Sequence, residues 1–158
     1  MAHHQHISPE RNGLRYGLFT AIGMAAYFLI ANLLGLAANV MYSYGNVIIL
    51  AIGACAAIAH FKRTRHDRMA YLQGFGTGII TAAVASLIFA VFFVIYSVIN
   101  PNLMEKLRAA DLFGFDLSVT IAFLAILLQG VMSGVIISLI AMQYFKSPDH
   151  NPLQQHVE

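Results

Sequence analysis

The chain is short of charge and almost without cysteine. Asp, Glu, Lys and Arg make up 10% of its 158 residues, against about 25% in an ordinary soluble domain. A soluble fold of this length cannot cover its surface with so few charges, so that class is excluded. The net charge of +2 is too small to argue for nucleic acid as a partner. The single cysteine, Cys55, lies inside an apolar run. It leaves no intrachain disulfide and no zinc-type cysteine pair.

Charge is scarcest where function would most need it. No Asp, Glu, Lys or Arg lies well inside any long apolar run, whereas ion-coupled pumps and voltage sensors require such groups at depth. There is no phosphate loop, no HExxH, no nucleophile–base pair and no carboxylate pair in or beside the runs. The chain is therefore read as non-enzymatic, with no catalytic, cofactor-binding or metal residue to nominate. His3, His4 and His6 stand close together, but a tail without fixed geometry holds metals weakly and without choice. His60 reads as an interfacial histidine at the edge of a run.

What the chain has is long hydrophobic stretches. Hydrophobic residues reach 59%, above the usual 45–50% or so. Four runs stand out, at about 14–36, 41–61, 75–99 and 117–145. A helix rises about 1.5 Å per residue, so about 20 residues cross a hydrocarbon core of about 30 Å. The last two runs are longer and are expected to tilt or project into the headgroups. Each run is apolar all round, as a lipid-embedded helix should be. Unpaired backbone groups are excluded from lipid, and 82–93 lacks the alternation of a barrel strand.

The predicted fold is an all-α membrane protein. It is a four-transmembrane-helix bundle with a short interfacial helix between spans three and four. Residues 1–12 are expected to be a disordered N-terminus, 13–146 the transmembrane domain and 147–158 a polar tail. Pro148 and Pro152 end any helix there. The first apolar run is too long for a cleavable signal segment, so Leu36-Ala37-Ala38-Asn39 is expected to stay uncut. In the 100–116 connection, Asn102 and Glu105 suggest a capping box, and Leu103, Leu107 and Ala110 recur at helical spacing.

Orientation follows from basic residues. Arg11, Arg15, Lys62, Arg63, Arg65, Arg68 and Lys146 fall on one side, and Lys106 and Arg108 on the other. Seven against two places both termini and the 62–72 connection in the cytoplasm. Lys62, Arg63, Arg65 and Arg68 are also candidate contacts for anionic lipid, although a topology signal is the plainer reading.

Small residues recur every fourth position along span three, at Gly74, Gly78, Ala82, Ser86 and Ala90. Span four has Gly130, Gly134 and Ser138, and span one has Gly13, Gly17, Ala21 and Ala25. Such faces let helices approach closely, which association in lipid requires. Packing inside the bundle is the expected use, and docking of another subunit or of a second copy is the alternative. Asn32, Asn39, Gln129 and Gln143 are expected to form interhelical hydrogen bonds; a path lined by Asn32 and Gln129 would instead favour a channel.

The stretch Gly74-Phe75-Gly76-Thr77-Gly78-Ile79-Ile80-Thr81, the apolar run to Tyr96, and Asn100-Pro101-Asn102-Leu103-Met104-Glu105-Lys106 are similar to a bacterial family of small four-span proteins. Tyr16-Gly17-Leu18 and the basic turn after span two add to the likeness. That family is catalogued as a domain of unknown function, number forty-one ninety-nine. The resemblance runs from about 14 to 145 and implies a bacterial inner membrane, with no activity or site residue to carry over. The leading function is an accessory or assembly protein of a membrane complex. The rivals are a small uncoupled transporter or channel acting as an oligomer, and a lipid-modifying enzyme, which would require a cluster of carboxylates and histidines at one membrane face, where Glu105, Asp111 and Asp116 are the only outer-side acids. The lipid bilayer is the one partner every reading requires.

Overall fold

The computed structural model describes residues 8–36, 40–64, 70–109 and 118–145. Its first helix, α1 (Pro9–Leu33), opens at a serine cap. Ser8 is extended and its Oγ accepts the Arg11 N–H at 3.2 Å. Pro9 presets the first helical φ, and Glu10 places a negative charge at the positive end of the helix dipole. Residues 9–12, expected to be disordered, are therefore the first turn of α1.

The other end of α1 comes three residues before the expected 36. Gly35 adopts a φ of 73°, a conformation that costs other residues free energy. Its N–H donates to Asn32 O at 3.0 Å, and the Leu36 N–H donates to Ala31 O at 2.9 Å. This pair of bonds closes the helix as a Schellman motif.

Helix α2 (Val40–Thr64) runs beyond the expected 61, so Lys62 and Arg63 sit in its last turn. Cations at a helix C-terminus are favoured by the dipole. Helix α3 (Tyr71–Ile99) starts four residues early, and α5 (Val119–Phe145) starts two residues late. Ser118 caps α5 by accepting the Ile121 N–H at 3.2 Å.

Between them lies the short helix α4 (Pro101–Ala109). Pro101 is its first residue, so the cap falls at Asn100 rather than at Asn102. Asn100 O accepts the Leu103 N–H at 3.0 Å. Leu103 and Met104 are buried and Glu105 and Lys106 exposed. Ala110 of the expected apolar stripe lies outside the described residues.

Four of these helices are long and apolar enough to cross a membrane. Their outer faces carry large apolar side chains such as Leu18, Ile22, Ile52, Ile95 and Leu128, a surface that water does not tolerate at this extent. The protein is an all-α, multi-pass membrane bundle. Helix α3 is its centre and touches each of the other helices. Helices α1 and α5 flank it, and α2 packs on all three long partners.

Two apolar clusters fill the interior. At the end opposite the basic residues, Phe28 of α1 meets Phe89, Phe92, Phe93 and Tyr96 of α3 edge-on at 5.5–6.2 Å. Leu103 and Met104 of α4 join this cluster and close it. At the basic end, Ile58 and Phe61 of α2 pack with Ala141 and Met142 of α5.

Candidate functional site

The small-residue faces meet each other inside the bundle. Gly78 of α3 faces Ser138 of α5, Ala82 faces Gly134, and Ser86 faces Gly130. The three contacts run antiparallel in steps of four residues, so one turn of each helix advances the seam by one pair. A Cβ added at Gly78 would lie 2.9 Å from Ser138 Cβ and 3.0 Å from Ile58 Cδ1. Gly74 is buried at the start of the same face. Ser86 Oγ and Ser138 Oγ have no hydrogen-bond partner among the described residues. Each oxygen instead lies over the facing glycine, in the space that a Cβ there would fill. On the other flank, Gly13 and Gly17 of α1 admit Ile80 and Val84 of α3. Gly53 of α2 admits Thr20 of α1.

A polar knot sits near the basic end. Asn12 is 2% exposed. Its Nδ2 donates to Ala57 O at 2.8 Å, which leaves Oδ1 as an acceptor. His60 Nδ1 lies 2.9 Å from that oxygen and is therefore the donor. The Tyr16 ring covers the imidazole at 5.4 Å. His60, expected as a plain interfacial side chain, is thus a half-buried tie between α1 and α2. Asn12 was missed because it fell within the expected tail. The Ser8-Pro9-Glu10 start signal would have found it.

Arg11 and Arg15 rim an open groove of about 590 Å³ between α1 and α3, floored by Leu14, Leu18, Val84 and Ile88. Lys62 is half-buried and Arg63 exposed. Arg65 and Arg68, the other candidate lipid contacts, lie outside the described residues, as do His3, His4, His6, Asp111 and Asp116. Among the described residues, no three His, Cys, Asp or Glu side chains converge.

The amides divide. Asn32 donates to Tyr96 Oη at 2.6 Å, tying α1 to α3. Gln129 and Gln143 lie exposed on α5, so Asn32 and Gln129 line no common path. Asn39 is outside the described residues. Helix α5 is also the span with most open surface. Only 11% of its most apolar stretch is buried, against 44% for α3.

Fold and surfaces together define a multi-pass helical membrane protein whose small-residue faces are consumed internally while one outer span stays largely uncovered. The chain belongs to the family described as Protein of unknown function (DUF4199), whose model matches residues 15–147. No curated protein and no solved structure matches it.

Proposed function

We propose that the protein is a non-enzymatic accessory or assembly subunit of a complex in a bacterial cytoplasmic membrane. In this reading both termini and the 62–72 connection face the cytoplasm, and other membrane subunits supply its partners, with self-association as the alternative. The observation that carries it is the open face of α5. A span packed chiefly on α3 and α2 has its opposite face left for another protein. The asymmetry of Lys and Arg supports the orientation. The groove edged by Arg11 and Arg15 suits an anionic lipid, with Lys62, Arg63, Arg65 and Arg68 adding to the same basic end.

The test is purification of the full chain from native membranes in a mild detergent, followed by mass spectrometry of proteins and lipids. A membrane protein recovered in fixed ratio with the chain is expected. Recovery of the chain with lipid alone would refute the accessory role.

A further inference from the structure

The outer face of α5 carries a repeat that the bundle does not use. Ala125, Gln129, Met132, Ile136, Leu139 and Gln143 alternate in steps of four and three residues. That is the a/d spacing of a two-stranded coiled coil, with Gln129, Ile136 and Gln143 at a and Ala125, Met132 and Leu139 at d. At about 100° per residue, this seam points directly away from Gly130, Gly134 and Ser138, the stripe seated on α3. Five of the six residues are exposed and Ala125 is half-buried.

Gln129 is the anomaly. It stands ten residues from one end of α5 and sixteen from the other. It lies about 21 Å along the axis from Gln143, itself at the aromatic edge by Tyr144 and Phe145. A hydrocarbon core of about 30 Å therefore encloses it. Among the described residues, it is the one polar side chain both exposed and remote from its helix ends. It makes no hydrogen bond to any of them. An amide facing hydrocarbon without a partner is unfavourable.

We infer that this face of α5 binds the same face of a second copy of the chain, with the two Gln129 amides hydrogen-bonded to each other across a two-fold axis. Copies inserted in one orientation have parallel α5 helices. A parallel pair on a two-fold axis brings each residue opposite its own counterpart. An amide is self-complementary, since its carbonyl accepts what its NH₂ donates. A leucine in place of Gln129 would satisfy lipid without any partner but would set no register. A polar residue at a single a position sets register in coiled coils. The inference rests on the reading that the α5 face is a docking surface and adds that its occupant is this chain.

The test uses the full chain in native membranes in a Cys55→Ala background. Met132→Cys should form a disulfide-linked dimer under mild oxidation. Leu124→Cys, exposed about 80° round the helix from Met132, should not. Gln129→Leu should weaken dimerisation about sevenfold, the equivalent of two average interhelical hydrogen bonds. The thermal stability of the subunit should stay unchanged, because Gln129 bonds nothing within it. Absence of the Met132→Cys dimer, equal dimer at Leu124→Cys, or unchanged dimerisation in Gln129→Leu would overturn the inference. If Met132→Cys cross-links to a different membrane protein, the second copy is refuted and the accessory role survives. If it cross-links to itself while no other subunit co-purifies, the accessory role falls and the dimer stands.

Discussion

Replacing Gly134 by alanine should unseat α5 from α3. The added Cβ would fall onto the methyl of Ala82. Neither methyl has a torsion that could swing it clear, so the two helix axes must separate along the whole seam. Overpacking of this kind costs about 1–3 kcal/mol, and the rigid backbone on both sides puts Gly134→Ala near 2 kcal/mol. Helix propensity offsets little of this, because spans stay helical before they associate in lipid. The companion change removes the clash. With Ala82→Gly, the new Cβ at position 134 meets the Cα of residue 82 at 3.6 Å, an ordinary contact. The double variant should return to within about 0.5 kcal/mol of the natural chain. Ala82→Gly alone should lose about 1 kcal/mol through the packing lost with its methyl. The cycle then shows a coupling of about 2–3 kcal/mol, at the upper end for touching residues. Equilibrium unfolding in mixed micelles of rising SDS content would read it, with reactivity of the half-buried Cys55 reporting the open state. A Gly134→Ala protein within 0.5 kcal/mol of the natural chain would refute the seam, as would a double variant no more stable than the single.

Three further outcomes are expected. In a Cys55→Ala background, a membrane-impermeant thiol reagent on intact cells should label a cysteine at position 105 and spare one at position 64; the reverse pattern would invert the proposed orientation. Asn12→Leu should cost about 1–3 kcal/mol, since it strands His60 Nδ1 and removes the tie to the Ala57 carbonyl, which keeps its bond within α2; the same loss in a His60→Ala background would show that the two side chains do not act together. Spin labels at Asn102, Glu105 and Lys106 should be mobile and those at Leu103 and Met104 immobilised, because α4 buries only the latter two among these; uniform mobility would detach α4 from the bundle end.

Membrane class, span count and span order were legible in the amino-acid sequence alone, because lipid judges a helix by length and mean hydropathy. Both are local averages that no distant residue alters. The basic end of the bundle was equally legible, since charge counts do not depend on packing. Which side of each span faces inward was not. In water, a polar face opposite an apolar stripe reveals the core, but these spans are apolar all round and that contrast is gone. The recurring small residues narrowed the choice of face. The structure then paired them, Gly78 with Ser138, Ala82 with Gly134 and Ser86 with Gly130. Single polar residues escaped any local reading. Asn32 and Gln129 are both amides inside apolar runs with nothing nearby in sequence to separate them. One reaches Tyr96, 64 residues along the chain, and the other faces outward from α5. A hydrogen bond depends on which helix lies alongside and in what rotation, and only the tertiary arrangement of α1, α3 and α5 decides that.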